Sequence, residues 1–518
     1  MIKKRLISGI LCSIMILISL TGCGGKEETV KVDTSKFDYT VDYSDVATGS
    51  VNARVSVHDP SIIKADGKYY IFGSHMVGGS TEDLRSWTRL GNGYSEKNTI
   101  YGNLFEEGLH VFDYAGSGDS IIPTDDGGVH VWAPDAIYNP TTGLYYLYYC
   151  TTSTWNASNL CYATSKNVEG PYEWQGALIY SGFSKKTVHD TNVLDVVDED
   201  WVLENYVTSD GYNFRKYPNA IDPSIFFDED GRWWMVYGSW SGGMYLLELD
   251  VNTGKVIHPE ADPENNVDPY YGKCLMGGGH SSMEGPYILY DDKSGYYYLF
   301  VSYGSLTTYG GYQIRVFRSE TVNGDYVDMN GQYPPNVGDH ALYGLKMSGN
   351  YMLPSLKRAY MATGHNSAFI DDDGKMYVVY HTRFDDGTEN HSPRVKQFFL
   401  NKEGWPCMLP YATNGETISE TGYDKSEVEG RYYVVNQGTK IDAKVAEPFI
   451  LYLAADGKVY GDGIEGTWTT TKDSYYMTVS YKNKEYSGVF CKMLDEAGTE
   501  VMAFSAVGSN ESVWGVKY

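Results

Sequence analysis

Five segments of the chain open on residues whose side chains could do acid–base chemistry. The residues are Asp59, Asp135, Asp222, Glu284 and the stretch His365–Ser367. Hydrolysis of a glycosidic bond needs one carboxylic acid to protonate the leaving oxygen and one carboxylate to activate water. A third carboxyl group can keep the acid protonated. Carboxylates gathered without a function would destabilise a fold through repulsion and lost hydration. The set therefore indicates a hydrolytic site.

Other interpretations of the same residues are structural. An Asp-Pro pair often starts a turn, so each aspartate taken singly could be a turn residue. For Asp135 both interpretations stay open. Glu284 forms turns poorly and yet occupies the same predicted register, so it favours a functional interpretation of the five residues taken together. A calcium cage is another use of clustered acids, but the spacing of an EF-hand loop is absent.

The five segments share a pattern of a short apolar strand, a turn rich in Asp, Gly and Asn, and an aromatic strand. The copies read HDPSIIKADGKYYIFGS, WAPDAIYNPTTGLYYLYYCTT, IDPSIFFDEDGRWWMVYGS, EGPYILYDDKSGYYYLFVSYGS and GHNSAFIDDDGKMYVVYHTR. Repeated hairpins without helical periodicity predict an all-β chain, with a five-bladed β-propeller over residues 51–412. A β-sandwich would give no reason for five copies. The innermost strands of a propeller run in one direction, so the residues that open them are expected to meet at one end of its axis.

Both ends of the chain differ from the repeats. Residues 426–518 alternate strands and turns, which predicts a small β-barrel or sandwich. This domain could be a structural accessory, or it could bind sugar through Trp468 or Trp514.

Residues 1–22 have a basic start and a short apolar stretch that leads into LTGC, a pattern typical of a lipoprotein signal peptide. Lipidation of Cys23 would anchor the protein to the outer face of a bacterial membrane, with residues 23–50 as a polar tether. An ordinary signal peptide with a chance cysteine is the alternative.

Composition narrows the range of partners. The chain holds 67 acidic and 41 basic residues, a net charge of −26, which argues against nucleic acid or an anionic membrane surface as a partner. This negative charge suits an exported protein that acts on a neutral ligand. We expect the protein to be a monomer. Five cysteines remain beyond Cys12 and Cys23, without metal-binding spacing; Cys150 and Cys161 could pair or be buried thiols.

Six motifs, in order, resemble glycoside hydrolase family 43, and most of all its endo-α-1,5-L-arabinanases, over about residues 54–411. They are HDPSI, WAPD, NAIDPSIFFD, GSWSGG, SSMEGPYI and GHNSAF. The resemblance implies a five-bladed propeller and hydrolysis with inversion. It makes Asp59 the general base, Asp222 the residue that tunes the pKa of the acid and orients it, and Glu284 the general acid. An inverting pair needs room for water, so the Asp59 and Glu284 carboxyls are expected roughly 6.5–9.5 Å apart.

The resemblance also implies ligand contacts. A channel metal ion, commonly calcium, would be held through His365 and waters, although a lone histidine without the resemblance is better read as a core residue. The sugar-contacting residues would be Asp59, Trp132, Asn219, Asp222, Ser239, Trp240, Ser241, Ser282 and Glu284.

The function that follows is cleavage of internal α-1,5-L-arabinofuranosyl linkages in arabinan. One alternative is an exo-acting arabinofuranosidase or β-xylosidase of the same family, which would need one end of the cleft blocked. Another is a non-catalytic lipoprotein that captures arabinan, but binding alone does not need three carboxylates. The insert at residues 183–217 matches no family motif, so its effect on chain-length preference stays open.

Overall fold

The computed structural model describes residues 32–518, apart from residues 95–96, 105, 107, 154–155, 210 and 335–338. These residues form five antiparallel sheets of four to six strands, one two-stranded hairpin and a closed eight-stranded barrel. The innermost strands of the five sheets contact one another in a ring, in which the fifth also contacts the first. The prediction of an all-β chain with a five-bladed propeller is confirmed, and the C-terminal domain is a barrel.

The five blades use the first 24 strands, apart from the β9–β10 hairpin. Blade 1 contains β1 (Ser61–Ala65), β2 (Lys68–Gly73), β3 (Val77–Thr81) and β4 (Thr88–Gly91); blade 2 contains β5 (Val131–Asn139), β6 (Leu144–Thr152), β7 (Ser158–Ser165) and β8 (Glu173–Ser181). The hairpin is β9 (Val207–Thr208) and β10 (Gly211–Tyr212); blade 3 contains β11 (Ser224–Phe227), β12 (Trp233–Tyr237), β13 (Met244–Leu249), β14 (Val256–Ile257), β15 (Val267–Asp268) and β16 (Gly272–Met276). Blade 4 contains β17 (Met283–Asp291), β18 (Tyr296–Tyr303), β19 (Gln313–Ser319) and β20 (Leu345–Ser348); blade 5 contains β21 (Tyr360–Ile370), β22 (Met376–Phe384), β23 (Ser392–Leu400) and β24 (Pro406–Met408).

The first hairpin shows how the repeated turns work. Ala65 pairs with Lys68, which leaves a two-residue loop of Asp66 and Gly67 with φ of 51° and 76°. Two residues with positive φ give a turn whose twist matches that of the flanking strands. The turn therefore returns the aromatic second strand directly against the innermost one.

The insert at residues 183–217 packs into the core between blades 2 and 3. Its helical turns are 3₁₀ segments at Thr187–Asp190 and Val193–Asp195, helix α1 (Glu199–Trp201) and a π-helical turn at Val202–Tyr206. The Tyr206 ring lies 4.7 Å from that of Tyr217 and 5.1 Å from that of Tyr271. Because these rings are buried, this part of the insert belongs to the hydrophobic core.

The C-terminal barrel follows helix α2 (Lys425–Val428), and its strands close on themselves in sequence order. They are β25 (Gly430–Asn436), β26 (Phe449–Leu453), β27 (Lys458–Gly461), β28 (Ile464–Thr470), β29 (Tyr476–Tyr481), β30 (Lys484–Leu494), β31 (Glu500–Gly508) and β32 (Glu511–Lys517). Trp468 is buried and donates to the Ala454 carbonyl at 2.9 Å, and the buried Trp514 packs edge-on against Tyr351 of the propeller. Neither indole offers an open face to a sugar, which favours the structural interpretation of this domain.

The described part of the predicted tether packs on this barrel. Beside a 3₁₀ turn at Thr34–Lys36, the Phe37 ring stacks on Tyr452 at 3.9 Å, and Arg431 donates to the Thr40 carbonyl at 2.6 Å. The stretch predicted as a tether therefore packs against the barrel over these residues, because an aromatic ring inside the polar sequence finds a partner. Residues 1–31, including the predicted signal and Cys23, lie outside the described residues.

The five cysteines among the described residues are all free. Cys150 and Cys161 lie on the neighbouring strands β6 and β7, but Cys150 is opposite Leu160, and Cys161 is opposite Tyr149. The possible disulfide between them is absent, and both are buried thiols.

Candidate active site

Each innermost strand has a residue with left-handed backbone, either inside the strand or two residues before it. These residues are Asp59, Ala133, Asp222, Gly285 and His365, with φ of 51°, 41°, 56°, 59° and 46°. Each non-glycine residue in this conformation costs about 1–3 kcal/mol, and such residues concentrate at functional sites. The repeat therefore presents three side chains that could do chemistry, those of Asp59, Asp222 and His365, at equivalent positions.

Two of the predicted positions do not share this register. Strand pairing slips between Trp132 and Asp135, and again between Glu284 and Tyr287, where the chain bulges. Glu284 consequently lies one residue before the left-handed position of its blade. Asp135 lies two residues after it, deeper in the channel, so the expectation that all five residues are equivalent is wrong.

A cavity of about 380 Å³ lies at the mouth of the channel. Asp59, Asp222 and Glu284 line it together with His365. The convergence predicted for these four residues therefore occurs, with Trp132 and Ser239 as further lining residues.

Asp59 is held by three side chains around its carboxylate. His58 Nδ1 lies 2.6 Å from Oδ2, Ser74 Oγ donates to Oδ2 at 2.5 Å, and His365 Nδ1 lies 3.0 Å from Oδ1. Burial opposes ionisation, but the charges of His365 and His58 outweigh it and hold the pKa of Asp59 well below its usual range. The same contact also changes the pKa of His365. Burial lowers that pKa, but the negative charge of Asp59 outweighs burial and the pKa of His365 is raised to about 9. Asp59 is thus an ionised carboxylate.

Asp222 differs from Asp59 in its protonation. Burial, with the nearby charges of Glu284 and Asp59, raises its pKa to about 7, although His365 acts in the opposite direction. Its Oδ2 accepts the backbone N–H of Gly285 at 3.1 Å, next to Glu284 in the chain. Asp222 therefore retains a proton up to about neutral pH.

The carboxyl group of Glu284 is fixed by donors on both oxygens. Trp240 Nε1 donates to Oε2 at 2.7 Å, with Ser239 Oγ at 3.4 Å, and Tyr312 Oη donates to Oε1 at 2.7 Å. The backbone of Trp240 has φ of 48°, which marks a strained turn at a functional site. The structure thus places the indole N–H of Trp240 on the Glu284 carboxylate and not on an open sugar-binding surface.

Four of the predicted sugar contacts, Asn219, Trp240, Ser241 and Ser282, do not line the cavity. Asn219 is buried and accepts from Ser181 Oγ at 3.3 Å. Ser282 Oγ lies 3.2 Å from His340 Nε2, and the Ser241 carbonyl accepts from the His280 backbone at 2.9 Å. Asn219, Ser241 and Ser282 support the loops that carry Asp222, Trp240 and Glu284.

Several lining residues escaped the sequence analysis. They are His58, Ser74, His75, Leu306, Arg383, Glu389 and His391. His58 and Ser74 stand inside the first repeat, so its motif carried a signal that was not used. The loop between β22 and β23 contains Glu389 and His391, and Arg383 lies near the end of β22. Nothing in the five-copy pattern distinguishes these three residues.

Asp135 joins three blades below the mouth. Its Oδ1 accepts from Ser61 Oγ of blade 1 at 2.5 Å, and its Oδ2 accepts from the Ile225 backbone of blade 3 at 2.7 Å. Burial raises its pKa to about 7 despite these hydrogen bonds. Asp135 is therefore a buried structural carboxyl group rather than a member of the catalytic set.

Asp135→Asn is expected to stabilise the protein above neutral pH. The folded-state pKa exceeds the unfolded value, so the protonated group contributes stability below about pH 4, which is lost as pH rises to about 7. A shift of about 3 units corresponds to about 4 kcal/mol. Urea unfolding at pH 5 and pH 8 measures it, with the exposed-turn variant Asp66→Asn as control. An unchanged pH dependence in Asp135→Asn contradicts the assignment.

The histidines near Asp59 form a candidate metal-binding cluster. Single ligand atoms of His58, Asp59 and His381 lie within 4.8 Å of one another. The buried Nε2 of His381 has no hydrogen-bond partner among the described residues. Two imidazoles and one carboxylate fit a divalent ion that accepts nitrogen ligands, whereas calcium prefers oxygen and would depend on water for most of its shell. His365 touches this cluster through Asp59.

Comparison with known proteins places the chain among sugar-cleaving enzymes. The family model described as glycosyl hydrolases family 43 matches residues 178–406, and a C-terminal lipocalin-like domain matches residues 410–515. An extracellular endo-α-(1→5)-L-arabinanase of Thermotoga petrophila is 36% identical over 479 residues, which are 89% of this chain and 93% of that protein. The chain belongs to glycosyl hydrolase family 43.

Two further comparisons agree with this membership. The extracellular endo-α-(1→5)-L-arabinanase 2 of Bacillus subtilis is 35% identical, over 92% of this chain and 96% of that protein. The crystal structure of an endo-1,5-α-L-arabinanase from Thermotoga petrophila superposes with a TM-score of 0.77, at 36% identity, and covers 91% of this chain and all of that one. The family resemblance predicted from the six motifs is confirmed, and the protein is a glycoside hydrolase.

Proposed function

We propose that this family 43 hydrolase cleaves internal α-1,5-L-arabinofuranosyl linkages of arabinan with inversion. The observation that carries the proposal is the presence, in one cavity, of an ionised Asp59, of Asp222 with its pKa raised to about 7, and of Glu284. The names of the two similar relatives supply the substrate and the endo action. An exo-acting enzyme or a capture protein has no comparable support.

The mechanism uses the two carboxyl groups from opposite sides of the sugar. Asp59 takes a proton from a water molecule as the water oxygen bonds to the anomeric carbon. Glu284 gives its proton to the glycosidic oxygen as the bond from the anomeric carbon to that oxygen breaks. Asp222 holds the Gly285 backbone beside the acid, and its own negative charge, once ionised, favours retention of the proton on Glu284.

Digestion of linear α-1,5-arabinan tests both endo action and inversion. We expect a ladder of oligosaccharides by chromatography and, by NMR of the first products, a β-configured reducing end. Release of arabinose alone would identify an exo-acting enzyme, and an α-configured first product would contradict inversion. Binding without any product would identify the capture protein.

We also propose that substrate contacts extend to Trp132 and Ser239. Trp132 is half-buried, lines the cavity and stacks against His130 with ring centroids 5.3 Å apart. Its ring is suited to pack against a furanose, and Ser239 Oγ lies beside the Glu284 carboxylate. Trp132→Ala is expected to raise KM for arabino-oligosaccharides about tenfold with a smaller change in kcat, and an unchanged KM would contradict the role.

We propose one bound divalent cation, calcium through His365 and waters being the candidate from the sequence. Such an ion would supply positive charge beside Asp59. Elemental analysis of wild type, His365→Ala and His381→Ala, purified in parallel, is expected to find about one ion in wild type and loss in His365→Ala. Loss only in His381→Ala would place the ion in the His58–Asp59–His381 cluster, and no ion in wild type would end the proposal.

We propose that the protein is exported and anchored by lipid at Cys23. The relatives are named extracellular, and LTGC at residues 20–23 supports a lipid attachment. Within the described part of the chain, no helix is long and apolar enough to cross a membrane. Wild type is expected to partition with detergent and Cys23→Ala is not; a fully soluble wild type would contradict the anchor.

A further inference from the structure

The acid Glu284 has a second side-chain partner that the sequence did not indicate. Tyr312 lies just before β19, is fully buried, and donates its hydroxyl hydrogen to Glu284 Oε1 at 2.7 Å. Its ring lies tightly against Gly364 of blade 5, where a Cβ would come within 2.3 Å of the ring. Glycine at position 364 therefore leaves the space that sets the position of the Tyr312 hydroxyl.

The donor on the other oxygen determines where the catalytic proton sits. Trp240 Nε1 donates to Oε2 at 2.7 Å, and an indole N–H can only donate. The hydroxyl oxygen of a carboxylic acid is a poor acceptor, so Oε2 stays the unprotonated oxygen in both states of Glu284. The proton must then be carried by Oε1, the oxygen that Tyr312 contacts.

A tyrosine hydroxyl suits both states of Oε1, because it can donate and accept. It accepts from Oε1–H before the reaction. The O–H bond of the acid then turns toward the glycosidic oxygen, and the Tyr312 hydroxyl donates to the carboxylate once the proton has left. Burial, with the charges of Glu284 and Asp59, raises the pKa of Tyr312 well above its usual value. Tyr312 therefore keeps its own proton throughout the cycle.

Ring stacking links Tyr312 to the base. The Tyr312 ring stacks with His381 at 5.8 Å and an interplanar angle of 23°, and His381 stacks with His58 at 4.3 Å and 21°. His58 in turn contacts Asp59 Oδ2 at 2.6 Å. A continuous column of three rings thus runs from the partner of the acid to the partner of the base.

We propose that Tyr312 is a positioning residue that holds Glu284 Oε1, the oxygen that delivers the proton, at a fixed place relative to Asp59. This inference rests on the proposed function. In the reaction the proton passes from Oε1 to the glycosidic oxygen as the bond to the anomeric carbon breaks, and Tyr312 then stabilises the carboxylate that remains. No proton leaves Tyr312.

Tyr312→Phe removes the hydroxyl and keeps the ring, so the contacts with Gly364 and His381 are retained. We expect kcat on linear arabinan to fall about 10–100-fold, with KM within about twofold, as for loss of one hydrogen bond to a charged group. On the 2,4-dinitrophenyl glycoside of α-1,5-arabinotriose, whose leaving group needs little protonation, we expect a change below about threefold. Tyr149→Phe, at a buried tyrosine whose hydroxyl has no partner among the described residues, is the matched control and is expected to match wild type on both substrates.

An equal fall on both substrates, or no fall on arabinan, would overturn the role of Tyr312. Gly364→Ala gives a second test, because its methyl group displaces the ring, and it is expected to show the same difference between the two substrates. Wild type is assayed alongside: a wild type that does not cleave arabinan refutes the proposed function, whereas an active wild type with an equal loss in Tyr312→Phe refutes only this inference.

Discussion

Asp59→Asn is expected to lose activity on linear arabinan and on an activated aryl arabinoside alike, by about 10³–10⁴-fold. Asparagine keeps the size of the side chain but cannot accept a proton from water, and every substrate of an inverting enzyme needs that water. His58, Ser74 and His365 surround the carboxylate, so the altered group stays in place and the loss reports on chemistry. Initial rates on both substrates measure it.

Two companion experiments separate this loss from a general disturbance. Added azide attacks the anomeric carbon without giving up a proton, so it is expected to restore part of the activity of Asp59→Asn on the activated substrate, with a β-configured azide as product. Ser74→Ala removes one donor at 2.5 Å from the carboxylate and is expected to cost only about tenfold. An Asp59→Asn enzyme with a tenth of wild-type activity on either substrate would exclude Asp59 as the base.

Glu284→Gln is expected to lower kcat/KM by very different factors on arabinan and on the activated aryl glycoside. On arabinan, whose leaving group is a sugar alkoxide, the loss of the acid is expected to lower kcat/KM by about 10²–10⁴-fold. On the 2,4-dinitrophenyl glycoside the loss is expected to stay below about tenfold, because the departing phenolate is already stable. The ratio of kcat/KM values for the two substrates, compared between variant and wild type, is the measurement.

Ser239→Ala is the matched control for that ratio, since it removes the weaker contact to Oε2 at 3.4 Å and leaves the Trp240 contact at 2.7 Å. We expect it to change both substrates by similar small factors. Should Glu284→Gln lose equal activity on both, Glu284 is not the proton donor, and Asp222 becomes the candidate for that role.

The five-bladed architecture followed from the sequence because each blade repeats one pattern of strand, turn and aromatic strand. Asp59 and Asp222 were placed in the cavity for the same reason, as both occupy the same position before a proline. The positions of Asp135 and Glu284 were mistaken by two residues and one residue, because strand bulges shift the register without changing the composition that a pattern detects.

The surroundings of the acid could not be read from the sequence at all. Tyr312 is 28 residues from Glu284 in the chain. The protein has 48 tyrosines, and no local sequence pattern indicates which of them contacts Glu284. Trp240 was assigned to sugar by its motif, whereas its hydrogen bond to Glu284 depends on a backbone turn with positive φ. Such contacts depend on how loops from different blades meet, which local patterns do not encode.

The five left-handed residues of the innermost strands are arranged with near-fivefold symmetry, but their side chains differ in chemistry. Ala133 and Gly285 bring no functional group to their positions, and the His365 ring lies about 3.1 Å from where a Cβ on Gly285 would stand. The charges of Asp59, Asp222 and His365 therefore fall unevenly around a nearly regular frame. A ligand that enters this mouth therefore meets different side chains on each side of the channel axis. Ala133 is buried, and its backbone N–H donates to Ser74 Oγ, the hydroxyl that contacts Asp59, so this position supports the frame and not the chemistry.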